Sequence, residues 1–417
     1  MGALADSIGV NRVVLALSSA RLADAMGNSI LFILIPLYVV NLPSPLIHLP
    51  EPLLVAILIS IYGLVNAGLQ PVVGGLTDRM SRRKPFIQVG LVLMALATLA
   101  FLLAAQFSHL LVVRVFQGVG VALTIPASMA VMATATQQAT RGGSMGVYTS
   151  MRMVGFAIGP VLGGLLFVNF GLEVPIYVAA GFVFLSAIMV QVWVHEVPAT
   201  VSSGEDQSRG IFDREILSGG ILWLGLATFL MANSFSMMTT LQNEFNARLG
   251  QTALAFGVAF SATTAARLIT QIPLGRVSDK IGRKPLIVAG LIFLAPATAL
   301  LGVSQTTAQL TVFRALQGVA SAAVAAPAFA LAADLARAGG EGRQMSVITT
   351  GFFGGLAVGP LLAGALAVVA FELPFLVGGA MSLVGAWVVL RYVPESVQRA
   401  TAPPLLRSPE PAAADDG

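Results

Sequence analysis

GGLTDRMSRRKP at residues 74–85 and GRVSDKIGRKP at residues 275–285 are two copies of one motif. Each follows a long apolar run, sets an aspartate (Asp78, Asp279) among basic residues, and ends in the Lys-Pro that opens the next apolar run. Other blocks recur in the same order at an offset of about 200 residues. RVFQGVGVA (114–122) returns as RALQGVASA (314–322), Pro126 matches Pro327, and GFAIGPVLGG (155–164) returns as GGLAVGPLLAG (354–364). Matched blocks in one order at one offset mean that the chain is built from two related halves.

The residues around these blocks exclude a soluble protein. Of 417 residues, 56% are hydrophobic and only 10% are charged, with a mean hydropathy of +0.87. A water-facing domain carries about 25% charged residues. Apolar runs long enough to cross a bilayer as helices recur along the whole chain. They lie near 13–40, 52–76, 85–107, 109–135, 143–171 and 173–195, and then near 215–246, 251–275, 285–305, 307–333, 343–370 and 373–393. The many Gly and Pro sit inside these runs, where neighbouring helices re-satisfy freed backbone groups. The expected fold is therefore an all-α membrane protein of twelve transmembrane helices in two pseudo-symmetric six-helix bundles. Residues 1–195 form the first half and 215–393 the second. Residues 196–214 form a polar linker, and the Pro/Ala-rich tail 394–417 reads as disordered.

Most of the 23 Lys and Arg fall at the N-terminus, in the even-to-odd loops or in the tail. The positive-inside rule then places both termini in the cytoplasm. The same asymmetry accounts for the basic pI of about 9.8 without a nucleic-acid partner. There is no cysteine, so disulfides and thiolate metal sites are excluded. His48, His109 and His195 show no ligand spacing, no cofactor is implied, and neither a nucleotide loop nor a Ser-His-Asp grouping suggests an enzyme. The N-terminus lacks the features of a cleaved signal, so the first apolar segment reads as a retained helix.

These motifs resemble the major facilitator superfamily, and within it the twelve-span drug–proton antiporter branch, over roughly residues 13–393. Gly74, Asp78, Arg82 and Arg83 match the family's loop 2–3 signature, with Ser81 standing where Gly is usual. Gly275, Asp279, Arg283 and Lys284 form the second copy, which keeps that glycine as Gly282. Gly146, Gly155, Gly159, Pro160, Gly163 and Gly164 match the antiporter signature of the fifth span, and Gly359 and Pro360 persist in its degenerate repeat. The resemblance implies a proton-coupled antiporter exporting a small molecule by alternating access, a monomer in the plasma (inner) membrane. A uniporter or symporter of an organic anion, sugar or lipid-like solute is the alternative. It also implies that the two loops are gates latching the halves together, and that the glycines and Pro160 form a kinked packing seam. As plain chemistry, the basic loop is a topology anchor, and small residues let helices approach closely.

Ionisable residues inside spans are costly and therefore candidates for function. Asp24 lies in RLADAMGNSILFILIP (21–36), three residues after Arg21, which can pair with it on one helical face. Burial favours the neutral acid and a neighbouring arginine favours the carboxylate, so alternating exposure can switch which prevails. Asp24 is thus the candidate proton carrier. Arg114 belongs to the family's fourth-span signature associated with coupling, and Arg314 repeats it. Either can equally be a carbonyl-bonded strut. Arg152 and Arg267 have no charged repeat partner, their equivalents being Phe352 and Asn66. One carboxylate against several arginines predicts a net-positive cavity suited to anionic, zwitterionic or neutral amphiphiles. Asn28, Asn66, Asn233 and Gln271 are further cavity candidates, and so, with less to separate them from ordinary packing, are Tyr38, Tyr62, Gln70, Gln242, Asn243, Met26, Met231, Met237 and Met238.

Overall fold

The computed structural model describes residues 11–45, 47–80, 82–136, 140–194, 220–335 and 341–396. The expected linker and all of the tail beyond residue 396 lie outside the described residues. Within them the chain is helical, and twelve helices are long and apolar enough to cross a bilayer. They are Arg12–Val39, Glu51–Thr77, Lys84–Leu103, Phe107–Ala135, Gly143–Phe170 and Glu173–Trp193. The second six are Ile221–Thr240, Ala253–Ile281, Arg283–Val303, Thr307–Leu335, Ser346–Ala367 and Leu373–Tyr392. Helices are the form an isolated segment must take in lipid, because each closes its own backbone hydrogen bonds. We number the spans in this order and call the membrane face at Arg12 the near face.

One boundary differs from the expected layout. The seventh segment, predicted as one span over 215–246, starts at Ile221, tightens to a 3-10 turn at Met237–Thr240 and stops. A separate short helix, Gln242–Leu249, comes next. Its sequence QNEFNARL is too polar for hydrocarbon. Two of its side chains are also drawn toward the first span. Gln242 Nε2 donates to the Ile33 carbonyl at 3.0 Å, and Asn243 Nδ2 donates to the Pro36 carbonyl at 2.8 Å. These polar tethers hold the chain at the far face and end the span.

Glycines decide how closely the spans pack. In the first half Gly155, Gly159 and Gly163, one helical turn apart, lie against the first span at Leu22, Met26 and Ile30. In the second half Gly351, Gly355 and Gly359 lie against the seventh span at Gly225, Phe229 and Asn233. A Cβ on Gly155 would stand 2.7 Å from the Leu22 carbonyl oxygen, so these positions admit no larger residue without moving a backbone. Gly146, expected in the same seam, has no neighbour within 4 Å of its Cβ position.

The two halves meet in the middle and toward the far face. Gly164 packs on Ala253 and Leu254 of the eighth span, and Gly257 on the Pro160 carbonyl. Gly364 packs on Pro52 and Ala56 of the second span, and Gly63 on Ala357. Toward the near face the pattern reverses: Gly68, Gly74, Gly75 and Gly275 meet nothing within 4 Å.

Candidate functional site

Between the halves, on the near side of this seal, lie two abutting chambers of about 120 and 150 Å³. They share Phe32, Ile59, Arg152, Phe156 and Leu356 in their walls. The first chamber is polar on the side of the first half, where Arg21, Asp24, Asn28, Tyr62 and Asn66 face it. The second is walled largely by the other half through Phe235, Thr239, Phe260, Arg267 and Phe352.

Asp24 is 2% exposed and forms an ion pair with Arg21, itself 8% exposed. The other carboxylate oxygen, Oδ1, accepts from Asn28 Nδ2 at 2.7 Å. Arg21 lies over the Tyr148 ring, 5.8 Å from its centroid. The i, i+3 and i, i+4 spacing on one helix brings this Arg-Asp-Asn set together. Among the described residues, Asp24 is the one acidic side chain in the wall of either chamber.

Arg114 and Arg314 are built differently. They form equivalent networks in the two halves and do not line either chamber. Arg114 Nη1 donates to Gln117 Oε1 at 2.9 Å, and Gln117 Nε2 donates to Thr98 Oγ1 at 2.9 Å. Arg314, Gln317 and Thr298 repeat the chain at 2.6 and 2.8 Å. Arg114 Nε also donates to the Leu58 carbonyl at 3.0 Å, and the guanidinium lies over the Tyr62 ring, which faces the chamber. These arginines tie spans together inside each half, and Arg114 reaches Asp24's surroundings through Tyr62.

Other expected residues divide in the same way. Asn28, Asn66, Arg152 and Arg267 reach the chambers, whereas Asn233 and Gln271 do not. Asn233 is wholly buried against the glycines of the eleventh span. Tyr38 donates to the Phe101 carbonyl within its own half, and Met231, Met237 and Met238 are core residues. The phenylalanines Phe32, Phe156, Phe235, Phe260 and Phe352 were not singled out from the sequence. Apolar residues in apolar spans carry no signal of which face they occupy. Phe32 and Phe260 stack across the halves with centroids 6.0 Å apart.

In this conformation the described contacts of both signature loops lie within their own half. Arg83 Nη1 donates to the Ala130 carbonyl at 3.0 Å, and Lys84 Nζ donates to the Gln191 carbonyl at 2.8 Å. In the second copy Arg283 Nε is 3.0 Å from Asp334 Oδ2, with Asp279 at 3.7 Å, and Lys284 Nζ donates to the Leu390 carbonyl. Arg82 is exposed, and the Asp78 side chain lies outside the described residues. Gly282 turns the second loop at φ +107°, a conformation that glycine alone takes readily.

The sequence profile of the Major Facilitator Superfamily matches residues 17–247 and 222–412. The chain belongs to that superfamily. It is a multi-pass membrane transporter. Among related sequences, the multidrug resistance protein MdtG of Salmonella dublin is 26% identical over 274 residues, which span 64% of this chain and 66% of that protein. The multi-drug resistance efflux pump PmrA of Streptococcus pneumoniae is 24% identical over 318 residues, 74% of this chain and 78% of the pump. Among solved structures, a bacterial homologue of the human lysosomal transporter Spinster superposes with a TM-score of 0.76 at 14% identity, covering 91% of this chain and 95% of that one. The human organic anion transporter MFSD10 superposes with a TM-score of 0.67 at 19% identity, covering 91% and 99%. Both likenesses speak to the fold.

The far-face seal holds a second titratable site. Glu244, on the short helix, and Glu51, at the start of the second span, line one cleft there, and Glu51 Oε1 accepts from Asn243 at 2.6 Å. Burial of Glu244, helped by the nearby Glu51 charge and opposed by a backbone hydrogen bond, raises its carboxyl from 4.5 to about 7. A raised acid holds its proton in the sealed form and releases it when the seal opens to water. If opening the far face returns Glu244 to water, the closed form is expected to be favoured most below pH 4.5 and less and less as pH rises through about 7. The expected result is that the ratio of far-side to near-side labelling of a cysteine placed at Thr264, in the second chamber's wall, increases over that window in wild type, the ratio cancelling the thiol's own pH dependence. With Glu244→Gln the ratio should not change with pH. A pH-independent ratio in wild type would remove Glu244 from the seal.

Proposed function

We propose that this transporter is a secondary active exporter of small amphiphilic molecules, working as a monomer by alternating access and coupled to protons through Asp24. The observation that carries the coupling is the buried Asp24–Arg21 pair in the chamber wall, a proton-binding group within reach of whatever occupies the chamber. Export is supported by the glycine-rich fifth span and by the efflux names of the two sequence relatives. The basic loops support a near face that looks into the cytoplasm. On that orientation the chamber is sealed toward the outside and ready to load from within. Rocking the halves would break the far-side contacts of Gly164 and Gly364 and bring the two signature loops together as latches. A latch of this kind must be weak enough to release in each cycle.

The test is flux in proteoliposomes under an imposed pH gradient, with a lipophilic dye, an organic anion and a fluorescent lipid as substrates. Accumulation that tracks the gradient and collapses with a protonophore supports the antiporter. Flux at the same rate with and without the gradient makes the protein a uniporter.

A further inference from the structure

We infer that Arg152 and Arg267 form a two-handed clamp for an oxyanion, so that the transported molecule is an amphiphile with a carboxylate or phosphate head. The inference rests on reading the chamber as the translocation site. The two guanidinium groups come from opposite halves, spans five and eight, and both line the second chamber. Every other arginine deep in the spans is already engaged: Arg21 by Asp24, and Arg114 and Arg314 by glutamines and backbone carbonyls. Arg152 and Arg267 form no ion pair among the described residues, and the Nε of each is buried without a hydrogen-bond acceptor.

What holds them instead is phenylalanine. Arg152 lies 5.1 Å from the Phe156 centroid and 5.9 Å from that of Phe353, on the opposite half. Arg267 lies 5.4 Å from the Phe352 centroid. Stacking on a ring face steadies a guanidinium while leaving its in-plane N–H donors free, and those donors match a carboxylate or phosphate. With Arg21 and Asp24 cancelling, the chambers carry two positive charges that no side chain balances. Such charges inside a membrane protein are costly and are retained where a ligand needs them.

The internal repeat separates this pair from scaffold. Arg114 and Arg314 recur in both halves with the same partners, whereas Arg152 faces Phe352 and Arg267 faces Asn66 at the equivalent positions. Each half therefore contributes one arginine at a place where the other half has none. An anion between them is held by both halves at once and draws them together. Its apolar part is taken up by Phe32, Phe235 and Phe260.

The test uses the full chain in lipid nanodiscs and four dansyl-hexyl probes that differ only in the head: carboxylate, phosphate, hydroxyl and trimethylammonium. We expect the two anions to bind at least tenfold tighter than the cation. Arg152→Gln and Arg267→Gln should each weaken the anions about tenfold or more and leave the hydroxyl probe within about twofold. Arg→Lys at either position keeps the charge without the fork and should recover part of the loss. A variant that no longer binds the hydroxyl probe is misfolded, and the lysine variant then decides. Equal or tighter binding of the cation, or anion affinity unchanged by both glutamine variants, overturns the clamp. Anions bound through the arginines yet never moved into vesicles would leave the clamp standing and sink the transport reading. Movement of the ammonium probe into vesicles, with anion binding indifferent to both arginines, would do the reverse.

Discussion

Asp24→Asn is expected to abolish pH-driven accumulation while leaving downhill exchange of the same substrate within a few-fold of wild type. Asparagine keeps the shape of the aspartate and its contact with Asn28, but it can neither bind nor release a proton over the working range. The gradient-dependent part of the flux should fall at least tenfold, a loss of about 1.4 kcal/mol or more of coupling. The substitution also strands Arg21, and removing one partner of a buried ion pair costs about 3–5 kcal/mol. The companion variant is therefore Arg21→Gln/Asp24→Asn, which leaves no unpaired charge and should melt closer to wild type. Loss of coupling in both variants, with exchange retained in both, assigns the proton to Asp24. Gradient-driven accumulation that survives in the double variant would move the coupling site elsewhere, with Glu244 the first place to look.

Gly164→Leu is expected to reverse the side from which the chamber is reached. A Cβ at residue 164 would stand 2.6 Å from Leu254 Cα and 2.7 Å from the Ala253 carbonyl oxygen, both on the opposite half. Overpacking a tight contact costs about 1–3 kcal/mol, and here only the far-sealed state bears that cost. The two-state balance then shifts by about 5- to 160-fold toward a far-open state. Because the chain has no cysteine, one cysteine at Thr264 reports accessibility directly. An impermeant maleimide should label it from the near side in the wild type and from the far side in Gly164→Leu. Gly364→Leu, which meets Pro52 and Ala56, should act alike. Gly155→Leu is the contrast, because its neighbours Leu22 and Ala25 belong to the same half. It should lower the melting temperature without changing the side of labelling. Unchanged labelling in a stably folded Gly164→Leu would mean that this contact does not hold the seal.

These two glycines illustrate a division that runs through the molecule. The glycine-rich signature reads as one seam in the sequence, yet it does two jobs: Gly155, Gly159 and Gly163 bind spans within a half, while Gly164 faces across to the other half. A shift of one residue is about 100° around a helix, so the last glycine points to a different neighbour. Arg114 and Arg152 show the same limit. Both read as costly charges in spans, but packing turned one into a strut and the other toward the chamber. Sequence distinguished them only by the repeat, since one recurs and the other does not.

The sequence by itself determined the features that rest on local chemistry. The twelve spans come from apolar length, the duplication from matched blocks, and the Arg21–Asp24 pair from spacing on one helix. The tertiary structure alone decided which faces of those helices meet. It turned the phenylalanines inward, broke the seventh span where Gln242 and Asn243 reach the first, and sealed the far face while the near-face glycines stayed apart. The physical reason is that in a lipid-soluble helix every face is apolar, so hydropathy reports that a segment spans but not which way it looks. Only contacts between distant segments carry that information.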